Sequence, residues 1–168
     1  MLKLRAMQKP DRAEVQTILD RTGFFTPAEI NVAMELVDIF LSRPEQKDYF
    51  VQVAETSVAA AGAPGAAKVC GYLCYGPTPL TSGTYDLYWI AVHPDFQNQG
   101  IGKKMLAFLE QEVASLQGRL IIIETSSQNK YAATQAFYLR SGYQLAARIK
   151  DFYQPGDDRM IYSKYIKN

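Results

Sequence analysis

The sequence predicts an α/β (α+β) domain built on a mixed sheet with helices on both sides. Seven short runs are strand-like, either alternating or wholly apolar, and four segments repeat apolar residues at helical spacing. The elements follow the order β-α-α-β-β-β-α-β-α-β-β, which combines adjacent strands with helical crossovers. The chain has 168 residues, 48% of them hydrophobic, which suits a single domain over residues 1–168 with a substantial core.

Residues 2–7 alternate and read as the first strand. Pro10 and Asp11 open a helix with Val15, Ile18 and Leu19 on one face. Thr26-Pro27 is an N-cap followed by proline at the first helical position. Ile30, Met34, Val37 and Leu41 continue at helical spacing, and Pro44 follows the end. Residues 48–55 and 68–75 are strands, and the small, Gly/Pro-rich residues 57–66 read as the hairpin loop joining them. Residues 85–92 form the next strand, stopped by His93-Pro94. From Gly100 the period is helical: Ile101, Met105, Phe108, Leu109, Val113 and Leu116 make one apolar stripe, ended by Gly118. The Leu-Ile-Ile-Ile run at 120–123 reads as a strand buried on both faces. A short helix covers 131–140, with Gly142 at its C-terminal cap. Residues 143–152 and 160–166 are the last strands, joined by Gln154-Pro155-Gly156-Asp157-Asp158.

Composition excludes several classes. A formal charge of +1 lacks the basic excess a general nucleic-acid binder needs to neutralise phosphates. No apolar run reaches the ~18 residues of a membrane span, and residues 1–10 have no signal-peptide core, so the expected location is cytoplasmic. Cys70 and Cys74 lie four apart on one strand, hence on one face and too far apart to bridge, and read as reduced buried thiols. One histidine and two cysteines do not suit a zinc site, and no metal is expected.

The chemistry concentrates where the strand ending at Val92 leads through Gln97-Asn98-Gln99-Gly100-Ile101-Gly102-Lys103 into a helix. Glycines without Cβ admit a ligand to the backbone. The first-turn amides of a helix have no intrahelical partner, and the helix dipole adds positive character, so an anion such as pyrophosphate belongs there. The spacing matches neither G-x-x-x-x-G-K-[ST] nor G-x-G-x-x-G. Taken alone, a Gly-x-Gly at a helix start is also compatible with a plain tight turn.

Gln97-x-x-Gly100-x-Gly102 resembles the Q/R-x-x-G-x-G/A signature of the GNAT family of N-acetyltransferases. Ala136-Phe137-Tyr138-Leu139-Arg140-Ser141-Gly142-Tyr143 resembles that family's second signature in its Tyr and Gly spacing, and the element order matches along essentially the whole chain. The resemblance implies a mostly antiparallel sheet of six to seven strands with splayed parallel fourth and fifth strands. It implies acetyl-CoA as co-substrate, its pyrophosphate on the amides of Asn98, Gln99, Gly100, Ile101, Gly102 and Lys103. Its pantetheine arm would pair with the backbone of Ile90, Ala91 and Val92. Lys103, Lys104 and Lys130 would neutralise its phosphates; Lys104 and Lys130 also read as solvated surface lysines.

By the same resemblance Tyr138 is the general acid that protonates the departing thiolate; its other reading is an aromatic packing residue. Two carboxylates compete for the base. Glu124, at the end of the 120–123 strand, resembles the glutamate of the ribosomal-protein N-terminal acetyltransferases. Asp86 resembles that of the histone-acetylating relatives. A third reading assigns the base to neither. Those N-terminal enzymes carry an Asn seven residues before the tyrosine, where this chain has Tyr131; Asn129 takes that cofactor-binding role from the neighbouring loop. Ser126 or Ser127 either bonds the pantetheine or caps the helix.

In this family the substrate cleft involves segments that here read Arg21-Thr22-Gly23-Phe24-Phe25-Thr26 and Asp151-Phe152-Tyr153-Gln154-Pro155-Gly156-Asp157-Asp158. Aromatics with acids suit a cationic amine, while the second segment also reads as a solvated Pro-Gly turn. The expectation is acetyl transfer to a primary amine (a small amine, an amino acid or a peptide N-terminus) by direct transfer in a ternary complex. No nucleic acid or membrane partner is expected, and a homodimer is a candidate assembly because the family often dimerises. The competing readings are a non-catalytic acyl-CoA sensor of the same fold and an unrelated α/β phosphate binder.

Overall fold

The computed structural model describes residues 2–58 and 64–166. Seven strands form one mixed sheet in the order β1-β2-β3-β4-β5-β7-β6, the GNAT arrangement expected. They are β1 Leu2–Ala6, β2 Phe50–Val58, β3 Pro64–Pro77, β4 Thr84–Val92, β5 Leu120–Ser126, β6 Gln144–Gln154 and β7 Asp157–Tyr165. Four α-helices are described: α1 Arg12–Thr22, α2 Pro27–Ser42, α3 Ile101–Ser115 and α4 Ala132–Arg140. None is long and apolar enough to cross a membrane. The contacts divide the chain into two compact units, Met1–Gly76 with Trp89–Phe108, and Pro77–Tyr88 with Leu109–Asn168.

In the first unit β1 pairs antiparallel with β2, and β2 with β3. The core joins Val15, Ile18 and Leu19 of α1 and Ala33 and Val37 of α2 to Val51, Val53 and Tyr72 of the strands. Each fully buried Val, Leu or Ile side chain contributes about 1.5–3 kcal/mol. Thr26 Oγ1 accepts from the Glu29 amide at 3.2 Å while the Glu29 carboxylate accepts from the Thr26 amide at 2.7 Å, a reciprocal cap that starts α2. Lys9–Asp11 is a 3-10 turn, so α1 begins only at Arg12. The Asp11 carboxylate accepts from the Gln8 amide at 2.7 Å and from Arg5 at 2.7 and 3.0 Å.

A register shift between Ala54 and Glu55 moves β3 by one residue between Gly71 and Val69. Val69, Tyr72 and Cys74 consequently enter the core beneath α1 and α2, and Cys70 does not. The two thiols therefore do not share a face: the bulge breaks the two-residue period that simple spacing assumes. Both are buried and unpaired. β2 and β3 also extend into the stretch read as a loop, pairing Val58 with Pro64; residues 59–63 lie outside the described residues.

In the second unit β4 and β5 run parallel, β5 and β7 antiparallel, and β7 and β6 antiparallel. β5 is not buried on both faces. Ile121 and Ile123 are buried, whereas Leu120 and Ile122 are half-buried. Leu116 lies past the end of α3 and is exposed, so the stripe ends at Val113. Gly118 closes the turn into β5: a Cβ there would lie 2.4 Å from Val113 Cγ1, 2.8 Å from Tyr85 Cε2 and 2.9 Å from the Val113 carbonyl.

Asp157 and Asp158 belong to β7 and are buried, not part of a solvated turn; the turn is only Pro155-Gly156, with Gly156 at φ +82°. They hold the crossover and the last hairpin together. Asp157 accepts from Ser126 Oγ at 2.5 Å and from Gln128 Nε2 at 2.6 Å. Asp158 accepts from the Asp151 amide at 2.8 Å and pairs with Arg148, and its own amide donates to Ser127 Oγ at 2.8 Å.

Gly118→Ala will destabilise the protein by about 1–3 kcal/mol, the usual cost of forcing atoms into a packed site. At roughly 2–4 °C per kcal/mol for a chain of this size, calorimetry should record the drop in Tm; an unchanged Tm contradicts this packing.

Candidate active site

The strand-to-helix turn of the first unit has the form an anion site requires. β4 ends at Val92, and Gln97 Nε2 donates to the Val92 carbonyl at 3.1 Å, drawing the turn against the strand end. The Asp95 amide donates to His93 Nδ1 at 3.2 Å, and Arg21 bonds Asp95 at 3.2 Å with its other terminal nitrogen 2.9 Å from His93 Nε2. Burial first, and then Arg21 and Lys68 against the opposing pull of Asp95, holds the imidazole below its ordinary pKa. Phe25 packs edge-on to Trp89 at 5.1 Å, so Arg21 and Phe25 brace this turn.

Asn98 and Gly100 take positive φ, +61° and +74°. A Cβ at Gly100 would meet nothing within 4 Å, so conformation, not crowding, selects glycine there. The Lys104 amide donates to the Gly100 carbonyl at 3.1 Å, the first bond of α3. The amides of Ile101, Gly102 and Lys103 come before it, in the turn where helical amides lack intrahelical partners. Residues 97–100 and Lys103 are exposed, Ala91 and Ile101 are buried, and Ile90 and Val92 are half-buried.

The other candidates lie in the second unit. The β4–β5 ladder pairs Thr84–Leu87 with Leu120–Ile123, although β4 continues to Val92 and β5 to Ser126. Opposed residues share a face and successive residues alternate. Asp86 sits opposite Ile122, Glu124 opposite Ile161, and Ser126 opposite Arg159. Asp86, Glu124 and Arg159 therefore share one face. Ile123 and Tyr162 point to the other, and there the Tyr138 ring lies 5.8 Å from Tyr162 and 6.2 Å from Tyr143. The candidate acid and the two candidate bases thus occupy opposite faces of the same sheet.

Tyr138 is buried, and burial pushes its phenol well above the usual pKa. Asp86 is half-buried; burial raises its carboxyl, a 2.7 Å bond from Thr78 Oγ1 lowers it, and Glu124 and Arg159 act in opposite directions. Glu124 is paired with Arg159. Asn129 is exposed in a 3-10 turn, where its carbonyl accepts from the Ala132 amide.

Arg159 was not among the residues the sequence singles out. Its guanidinium lies 4.7 Å from the Phe152 ring centroid, on the face that carries both carboxylates. Alternation along 157–165 would have put it on one face with residues 161 and 163, but only the β5–β7 register brings it to Glu124.

Fold and motifs define a GNAT acetyltransferase domain. Residues 47–145 match the acetyltransferase (GNAT) domain family, more than half of the chain, and the protein belongs to that family. The fold is similar to a candidate GNAT-family acetyltransferase from Desulfovibrio desulfuricans, with a TM-score of 0.90 and 41% identity over 99% of this chain and 100% of that one. It is also similar to the ribosomal-protein-S18-alanine N-acetyltransferase of Escherichia coli (TM-score 0.74, 19% identity, 100% of this chain and 96% of that one). A candidate acetyltransferase from Salmonella typhimurium, solved with its cofactor acetyl-CoA, gives a TM-score of 0.73 at 19% identity over 100% and 95% of the two chains. The chain matches no curated protein sequence.

The buried Asp158 predicts a pH dependence. The Asp151 amide, then Arg148, holds its folded pKa below the ordinary carboxyl value. A depressed folded pKa gives stability that is complete above about pH 4 and lost as pH falls through the folded value. Acid titration of Asp158→Asn should give a flatter loss of stability below pH 4 than wild type; an identical acid limb contradicts the assignment.

Proposed function

We propose that the protein is an acetyl-CoA-dependent N-acetyltransferase that moves an acetyl group directly to a primary amine within a ternary complex. The observation that carries this reading is the pair of opposite-face groups flanking the end of the β4–β5 ladder, Tyr138 on one side and two carboxylates on the other. A thioester lying where that ladder stops would meet a proton donor at its sulfur and proton acceptors at the incoming amine. The turn at 97–103, with residues 97–100 and Lys103 exposed, offers first-turn helical amides for the pyrophosphate of coenzyme A. The backbone of Ile90, Ala91 and Val92 lies beyond the last β4–β5 pair and suits the amide-bearing pantetheine arm.

The amine nitrogen attacks the thioester carbonyl carbon, and the C–S bond breaks as the adduct collapses. Moving a proton from a free alkylammonium, pKa roughly 10, to an ordinary carboxylate near 4 is uphill by about 8 kcal/mol. The ammonium therefore gives its first proton to solvent, the neutral amine attacks, and the carboxylate takes the second proton from the adduct, after the N–C bond has made that nitrogen more acidic. Asp86 is the better acceptor: burial raises its proton affinity, whereas Glu124 is occupied by Arg159. Glu124 then serves to attract the ammonium. Tyr138 gives its proton to the departing sulfur. The apolar surroundings that keep its phenol protonated also penalise a bare thiolate. Cys70 and Cys74 are buried, with burial raising their pKa to about 11 and about 12, which is against a covalent acetyl-enzyme.

The test is coenzyme A release from acetyl-CoA against polyamines, aminoglycosides, amino acids, lysine peptides and peptide N-termini. Tyr138→Phe should lower kcat about 100-fold or more with the fold retained; an undiminished kcat removes the acid assignment. Asp86→Asn should lower kcat/KM and remove the Asp86 inflection from its acidic limb, leaving only the rise that follows deprotonation of the amine, because wild-type activity also requires the deprotonated carboxylate, whose pKa is raised. Acetyl-CoA binding without turnover of any amine would favour a non-catalytic acyl-CoA sensor.

A further inference from the structure

Arg159 stands out among the groups on the open face of the second unit. It is the one cation that the register puts beside Asp86 and Glu124 among the described residues of that face. It bonds Glu124 through one terminal nitrogen and lies over Phe152. Its Nε is buried and has no hydrogen-bond partner among the described residues. Each buried donor of this kind calls for an acceptor. The guanidinium is therefore held in place with part of its donor fork unused, while Glu124 and Phe152 remain exposed.

A cationic acceptor approaching Glu124 must compete with Arg159. A simple amine would take the carboxylate and leave the guanidinium without a carboxylate partner. A zwitterion exchanges partners instead: its ammonium takes Glu124, its acid group takes Arg159, and both ion pairs survive. With side-chain exposures of 26% for Arg159 and 38% for Glu124, the pair being broken is worth little by itself, so a ligand that supplies both charges gains its contacts at little cost. Because Glu124 and Arg159 touch, the two charges of the ligand must also be close together, as they are in an α-amino acid. Planar guanidinium donors match the geometry of a carboxylate, and the Phe152 ring covers the remaining face of the cation.

We infer that the acceptor is a free α-amino acid or a close acidic analogue, with its acid group held by Arg159 and its amine directed to Glu124 and Asp86. The inference rests on the acetyltransferase reading above and names the substrate class of that site. The product would be the N-acetylated amino acid: the ammonium loses one proton to solvent, the N–C bond forms and the thioester C–S bond breaks, the second amine proton passes to Asp86, and Tyr138 protonates the departing sulfur. Arg159 would set specificity without taking part in the proton transfers.

The experiment pairs each amino acid with the amine it becomes on losing its carboxyl group: phenylalanine with phenethylamine, methionine with methylthiopropylamine, histidine with histamine. Peptides with a free N-terminus, which lack the adjacent carboxylate, complete the set. For at least one pair kcat/KM should favour the amino acid by about 10- to 100-fold, the worth of a charged hydrogen-bonded contact. Arg159→Gln should collapse that ratio mainly through a higher KM for the amino acid, and Arg159→Lys should restore part of it. A simple structural role would move both members of a pair together. Equal or better use of the decarboxylated amine by the wild-type protein overturns the inference, whether or not the variants fold. So does acetylation confined to peptide N-termini or polyamines, although the acetyltransferase reading then stands. If no amine is acetylated the inference also falls, and calorimetric titration with acetyl-CoA shows whether the cofactor reading falls with it.

Discussion

The short parallel ladder between β4 and β5 is the constraint on which the arrangement of the second unit depends. It joins Thr84–Leu87 to Leu120–Ile123 and stops, although both strands continue. Parallel pairing normally covers strands along their length, and its evenly spaced bonds satisfy the backbone groups on both sides. A ladder that ends early needs other support on its flanks. β5 obtains it from β7, which pairs with it from Leu120 to Ser126. This continuous antiparallel partner keeps β5 straight past the point where β4 is lost. The alternation of its side chains therefore persists, and Ile123 and Glu124 point reliably to opposite faces.

The last hairpin and the crossover after β5 are joined through buried carboxylates. Asp157 binds Ser126 and Gln128, while Asp158 receives the Asp151 amide and pairs with Arg148. Buried acids are costly unless satisfied, and these two accept two donors each. They fix the start of β7 two residues before Arg159. A shift of one residue there would carry Arg159 to the opposite face, away from Glu124. The electrostatics of the open face thus depend on a hydrogen-bonded clamp that is itself on no catalytic route.

Much of the fold was legible in the sequence because local rules agreed with the tertiary outcome. Thr26-Pro27-x-Glu29 capped a helix as its chemistry requires, and the glycines at 100, 142 and 156 sit at positive φ where the chain turns. The glycine turn before α3 and the tyrosine of α4 were readable as spaced motifs. Burial was harder to read. The Leu-Ile-Ile-Ile run suggested a doubly covered strand, yet only Ile121 and Ile123 are fully buried. The Asp157-Asp158 pair looked like turn punctuation and proved to be strand. Composition reports polarity; it does not report which donors the fold will bring to a carboxylate.

The sequence by itself determined the order of elements, the cap of α2, the glycine turn before α3 and the identity of the candidate titratable residues. These depend on contacts within a few residues, where backbone sterics and hydrogen-bonding capacity decide. Tertiary structure decided the rest. The β3 bulge separated Cys70 from Cys74, the β4–β5 and β5–β7 registers set Asp86 and Tyr138 on opposing faces, and the β5–β7 register placed Arg159 against Glu124. Each depends on strand register, a relation between distant segments fixed by pairing and burial along whole strands, and one residue of slip would reverse every face.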